Sequence, residues 1–241
     1  MKDKEKKVET VVKFAQSATK TKYFHHDYPI TDEVRKILLL DVYRDFTKYV
    51  LEENYAANQY ELKGYVDEHD PEGEKREGLE HNLFWWKMLY DASQDDNMSC
   101  VERYIIEHEK KLNNKPLITS WLREWEKAIP KFYYVGHKYN DQVLVVVDML
   151  TNQTLDVIVY DPFAVPSKKG EIVMGTLIPI GDALYFPIID FYHFDFEARI
   201  DLVNSLDHHY DKHLESSTML EAFIHVVSVA LQIEQLVISE K

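Results

Sequence analysis

Residues 132–194 interrupt an otherwise helical pattern with short β-branched runs, and no other stretch constrains the fold as tightly. Val143-Leu144-Val145-Val146-Val147 and Leu155-Asp156-Val157-Ile158-Val159 flank Thr151-Asn152-Gln153. Two apolar runs joined by residues that tolerate a tight turn predict a hairpin. Lys169-Gly170 opens another run from Ile172 to Ile180, and Gly181-Asp182 separates it from a last one over 184–194. About five such strands can close on themselves, which removes the unpaired edges of a small open sheet. The block predicts a small antiparallel β-barrel or curled sheet over 131–194.

On either side the period is helical. Thr31 precedes Asp32 and Glu33, an N-cap followed by the acidic first turn that a helix dipole prefers. Val34, Ile37, Leu38, Val42, Phe46 and Val50 then form one apolar stripe. Pro71, Gly73 and Gly78 among charged residues predict an exposed loop over 67–80. Leu83 to Leu89 is apolar on more than one face, as in a central core helix. Further helices are expected over 100–111 and 116–129, the latter stopped by Pro130. After residue 194, Phe196, Ile200, Val203 and Leu206 mark a short helix. Thr218 with Glu221 signals the cap of a C-terminal helix. The expected fold is α+β: a Lys-rich arm (1–22), a helical region (23–130), the β block (131–194) and C-terminal helices packing back (195–241).

Charge narrows the classes of partner. The 241 residues carry a net charge of −14, which opposes generic binding to nucleic acid or an anionic membrane. Residues 1–22 hold seven lysines against three acids, so the remainder carries −18. Cys100 is the only cysteine, which excludes an internal disulfide and fits a reducing compartment. Glu9 and Lys13 interrupt the apolar residues near the start, and no uninterrupted apolar run reaches 18 residues. The expectation is a cytoplasmic protein with no membrane span.

The segments Asn82 to Asp91, Val101 to Ile106, 121–135 and 143–181 resemble a group of poorly characterised bacterial proteins, mainly from Bacillus-like organisms. In that group an aromatic helix ending in Asp precedes a short helix, a Trp-bearing helix and a small β domain. Asp148-Met149-Leu150-Thr151 and Lys168-Lys169-Gly170-Glu171 match its hairpin and strand motifs. Some members carry a Cys-rich SEC-C zinc motif, which this chain lacks. The resemblance spans 80–195 and implies an architecture; it carries no catalytic residues across.

His208, His209 and His213, beside Asp207, Asp211 and Glu215, form the densest ligand-capable cluster. On a helix His209 and His213 stand four apart on one face and can share a divalent metal. His25, His26 and Asp27 would extend such a site if the fold brought them near. In the polar connection between two helices, the same residues read as ordinary surface groups. The barrel aromatics Phe132, Tyr133, Tyr134, Tyr185, Phe186, Phe191, Tyr192 and Phe194 offer a second candidate, a stacking surface for single-stranded bases. Residues 131–194 hold four lysines, no arginine and seven acids, so phosphate contact is poor and core packing is the better reading. Trp85, Trp86, Trp121 and Trp125 read as core for the same reason of spacing.

No glycine-rich phosphate loop, no Gly-x-Ser-x-Gly elbow and no EF-hand spacing occurs. The leading expectation is therefore a non-enzymatic cytoplasmic binding or regulatory protein with a protein partner. No cofactor is expected beyond a divalent metal at His208, His209 and His213, whose presence would instead make the chain a metal-dependent enzyme. A nucleic-acid module built from the Lys-rich arm and the barrel is the third reading.

Overall fold

The computed structural model describes residues 15–90, 98–214 and 219–239. Its architecture is α+β: a helical N-terminal region, a closed five-stranded barrel with one extra strand, and C-terminal helices. Thr31 caps the first helix, its side-chain oxygen accepting from the Val34 amide at 3.4 Å. Helix α1 (Asp32–Lys36) passes through a wider π-helical turn (Ile37–Val42) into α2 (Tyr43–His69). Val34, Leu38, Val42, Phe46 and Val50 form the buried stripe.

The loop expected over 67–80 shrinks to a turn at 70–73. Asp70 stops α2 in a left-handed conformation (φ 38°), and α3 (Glu74–Tyr90) starts four residues later. Glu74 and Glu77 suit a helix N-terminus, so the charge run that reads as a loop is a first helical turn. Leu83, Phe84, Trp85, Met88 and Leu89 bury the rest of α3, as its all-round apolarity requires. The helix expected over 100–111 breaks at His108 into α4 (Cys100–Glu107) and α5 (Glu109–Leu112). Helix α6 (Pro116–Trp125) brings Trp121 and Trp125 into the core, and the Trp121 indole N–H donates to the Pro179 carbonyl at 2.8 Å.

Strands β1 (Pro130–Asn140), β2 (Val143–Asp148), β3 (Thr154–Ile158), β4 (Ile172–Gly181) and β5 (Leu184–Pro187) pair in the order β1-β2-β3-β5-β4, and β4 pairs back with β1 to close the barrel. The short β6 (Tyr192–His193) adds to β4 on its outer side. The barrel is mixed, a correction to the all-antiparallel expectation, because β3 and β5 run parallel. The chain crosses the barrel end over 159–171 before entering β4, so β5, returning from β4, lies beside β3 in the same direction.

Asp148 explains why the hairpin turns where it does. One carboxylate oxygen accepts from the amides of Leu150 (2.9 Å) and Thr151 (3.2 Å), and the other accepts from the Lys131 ammonium. Burial alone would raise the Asp148 pKa; the bonds from Lys131 and Thr151 outweigh it and hold the carboxyl below its ordinary value.

Strand β4 is buried along its whole length, and its two faces belong to different cores. Val173 and Leu177 point into the barrel with Tyr133, Val135, Leu144, Val146, Val157, Val159 and Phe191. Ile172, Met174, Ile178 and Ile180 join Phe132, Phe186, Tyr192 and Phe194 in the larger cluster that runs through the helices. Phe132, Phe186, Tyr192 and Phe194 thus pack outward against helices, while Tyr133 and Phe191 fill the barrel with the half-buried Tyr185 against them.

A 3₁₀ turn (Phe196–Ala198) leads into α7 (Arg199–Leu214), longer than the short helix expected there, and α8 (Met219–Ser239) follows. Thr218 and residues 1–14 of the Lys-rich arm lie outside the described residues. By length and composition Glu221–Ser239 is long and apolar enough to cross a membrane, with a mean hydropathy of 1.6. The expectation of no such segment counted uninterrupted apolar runs, whereas this helix is broken only by polar residues and Glu234. In the fold Ala222, Phe223, Val226, Val227, Ala230 and Leu231 are buried, as in a core helix. Glu234, buried on the same helix, accepts from Lys75 (2.6 Å), from the Tyr192 hydroxyl (2.9 Å) and from the Asp195 amide (2.6 Å).

Gly181 ends β4 in a left-handed conformation (φ 88°), where an added Cβ would lie 2.6 Å from Ile30 Cγ2 and 3.0 Å from the Tyr28 carbonyl oxygen. Backbone strain and overpacking together should make Gly181→Ala about 2–4 kcal/mol less stable in urea denaturation. A variant as stable as the parent would show that the N-terminal segment does not seat on this turn.

Candidate functional site

A cleft of about 830 Å³ opens at the side of the barrel. Four parts of the fold supply its walls: the π-turn and start of α2, the first turns of α3, the connection after β3, and the segment from β5 to β6. Its floor is apolar, with Leu39, Val159, Phe186, Ile189 and Phe191. Polar groups converge on that floor, which is the usual build of a ligand site. Glu74, Glu77, Asp161 and Asp190 line it against Arg44 and Lys75. Lys75 is already engaged by Glu234 and by Asp195, the latter at 2.9 Å. Asp161 and Asp190 have no ion-pair partner among the described residues.

The charge of Asp161 acts on Asp190. Burial, then the charge of Asp161, raises the Asp190 pKa, while His193 partly offsets them. The Tyr43 hydroxyl donates to the Ile188 carbonyl at 2.8 Å; burial, and then Asp190 and Asp161, push its pKa up to about 12. A carboxylate held at a cost in an apolar cleft is a signature of a functional position.

His193 lines the same cleft from β6. Its Nδ1 lies 3.1 Å from Oε1 of Glu171, which is buried. An ionised carboxylate only accepts, so the neutral ring carries its proton on Nδ1, which leaves Nε2 as the nitrogen with a lone pair in that form. Glu171 itself is clamped. Its other oxygen accepts from the Lys168 amide at 2.6 Å, and its carbonyl accepts from the Val135 amide at 2.9 Å. Gly170, at φ 86°, makes the turn that brings it there.

The histidines singled out by sequence sit elsewhere. His208, His209 and His213 lie on α7, within a helix and not in a connection between helices. The rings of His209 and His213 are nearly parallel with centroids 6.3 Å apart, and His225 of α8 stacks on His213 at 4.6 Å. Stacked rings present their nitrogens in parallel planes. Burial first, and then the neighbouring His208, lowers the His209 pKa; its buried Nδ1 has no hydrogen-bond partner in the structure. Among the described residues no group of three or more His, Cys, Asp or Glu is arranged to hold a metal ion. His25 stacks on Tyr28, and His26 lies near Tyr185, so the N-terminal pair faces the turn after β4 and not α7.

Of the barrel aromatics, Phe132, Tyr133, Phe186, Phe191, Tyr192 and Phe194 are buried, while Tyr134 is exposed and Tyr185 half-buried. Trp85, Trp121 and Trp125 are core and Trp86 is half-buried. Cys100 donates to the Met88 carbonyl at 3.1 Å, and burial pushes its thiol up to about 12, as in an inert core cysteine.

Sequence reading missed Asp161, Asp190 and the Glu171–His193 pair. Glu171 stands in the Lys168-Lys169-Gly170-Glu171 motif, which reads as a turn. Nothing in the sequence marks its partner 22 residues later. Comparison with family models, curated proteins and solved structures returns no match.

The raised Asp190 pKa has a definite sign for stability. A folded-state value above the unfolded one favours the fold at low pH, and that contribution is lost as pH rises through the folded value. Asp190→Asn should therefore melt higher than the parent at pH 7, with the gap closing below the ordinary carboxylate value of 3.8. Calorimetry across that range checks it; an equal or lower melting temperature at pH 7 contradicts the assigned burial.

Proposed function

We propose that this protein is a binding or regulatory protein of the bacterial cytoplasm, related to the Bacillus-type group, and that its ligand sits in the cleft beside the barrel. The observation that carries this reading is the pair Asp161 and Asp190, without an ion-pair partner among the described residues and set over an apolar, aromatic floor. Such a surface suits an apolar body bearing a positive charge, held by carboxylates and by ring faces such as Tyr160. A lysine or arginine side chain of a protein partner meets that description, and so does a small organic cation. The net charge of −14 adds a favourable field for either.

Titration calorimetry with hexyltrimethylammonium tests the reading. Binding should weaken by about tenfold or more in the Asp161→Asn/Asp190→Asn double variant, the loss of about 1.4 kcal/mol of charge-assisted contact. It should also weaken as salt rises. Equal affinity in parent and variant removes the cleft as the site.

A metal-dependent role for His208, His209 and His213 is the second reading, favoured by His225, which adds an imidazole against His213. Elemental analysis of the purified protein is its test. Near-stoichiometric Zn, Mn or Fe that is lost in His213→Ala supports it, and metal-free protein opposes it.

A further inference from the structure

We propose that the cleft is also a hydrolytic centre, in which His193, oriented by Glu171, acts as general base on a carboxylic ester with an apolar or cationic body. This rests on the cleft being the ligand site and goes beyond binding by assigning it a reaction.

The geometry of the pair is the starting point. Glu171 is buried and fixed on three sides: by the Lys168 amide on one carboxylate oxygen, by β1 on its backbone carbonyl, and by the positive-φ turn at Gly170. The remaining oxygen meets His193 Nδ1 at 3.1 Å. A ring held through Nδ1 by a carboxylate has a defined tautomer and orientation, and its Nε2 is the nitrogen left to take a proton. His193 is also held from below, because β6 pairs with β4 and places His193 opposite Val173. A solely structural cross-strand pair needs no access to a cavity, yet this imidazole lines one.

The surroundings limit the substrate. The carboxylates of Glu74, Glu77, Asp161 and Asp190 disfavour anionic substrates such as phosphate esters, whereas the apolar floor accepts an acyl chain. Arg44, with no ion-pair partner among the described residues, lines the same cleft and is a candidate to face the carbonyl oxygen.

The step balances with water as the only co-reactant. Nε2 of His193 takes a proton from water while the water oxygen bonds to the ester carbonyl carbon. The tetrahedral intermediate then collapses, the bond from carbonyl carbon to leaving oxygen breaks, and the imidazolium returns its proton to the departing alkoxide. Ester and water give acid and alcohol, and His193 ends as it began. Glu171 touches no substrate atom and is a positioning residue.

The test is hydrolysis of p-nitrophenyl butyrate and of butyrylcholine, followed in a pH-stat with the full chain. Parent, His193→Gln, Glu171→Gln and Asp161→Asn proteins are compared, with His137→Gln on the far end of β1 as a control outside the cleft. The expected loss of kcat in His193→Gln is about 10²–10⁴-fold, the usual share of a general base. The parent rate should fall on acidification, and the residual rate of that variant should not. Glu171→Gln should lower kcat with KM little changed, while Asp161→Asn should raise KM for butyrylcholine and leave p-nitrophenyl butyrate alone. Circular dichroism and melting of each variant identify any that fails to fold, in which case His193→Asn replaces it. Hydrolysis by the parent no faster than by His193→Gln overturns the inference. If the calorimetric affinity for butyrylcholine also fails to respond to Asp161→Asn, the binding reading falls with it; if it does respond, binding stands alone.

Discussion

The structure depends on one strand that has no solvent face. Strand β4 gives Val173 and Leu177 to the barrel interior and Ile172, Met174, Ile178 and Ile180 to the helical core. A strand covered on both sides must be apolar at nearly every position, and its ten residues are all buried. It also carries the connections that make the two cores one body. Pro179 accepts the Trp121 indole N–H, and the Gly181 turn seats Ile30 and Tyr28. Burying one strand twice doubles the apolar area removed from water per residue of backbone ordered, which is how a small barrel gains stability from its neighbours.

The cleft follows from the same arrangement. Phe191 reaches from the segment before β6 into the barrel, and an added Cβ at Gly175 on β4 would come 2.7 Å from its ring. That close fit lets the chain fold back along β4, so His193 stands beside Glu171 and Asp190 opens onto the apolar floor. On the far wall the half-buried Lys75 and Asp195 join the buried Glu234 and Tyr192 in a polar network that fastens α8 to α3. Burial opposes the Lys75 charge, but Glu234 and Asp195 outweigh it and raise the Lys75 pKa. The network pairs its own charges; in the cleft, among the described residues, Asp161 accepts only the Phe163 amide at 2.8 Å and Asp190 is only partly offset by His193, and the contrast marks where a cation would be useful.

Much of the fold was legible because hydrophobic period reports burial directly. The hairpin at Asp148 to Thr154, the Thr31 cap, the aromatic core helix and the apolar run of β4 all follow from local spacing. The parallel pairing of β3 with β5 did not, since parallel neighbours depend on a crossover whose path is not encoded in either strand. The 67–80 charge run misled because a helix N-terminus and a solvated loop share acidic residues. The site was less legible still. Glu171 and His193 meet through a β4–β6 pairing, and Asp161 and Asp190 come together from two separate connections, so no sequence spacing announces them. The clustered histidines of α7 drew attention by proximity along the chain, whereas the fold stacks their rings along a helix face.

Native-state hydrogen exchange of the β4 amides tests the shared-strand account most directly. If one strand unites barrel and helices, the Val173 to Ile180 amides that donate within the sheet should exchange only through global unfolding, with the same free energy as the core amides of α3 and α6. Exchange of β4 through a lower-energy local opening, while those helices stay protected, would contradict it.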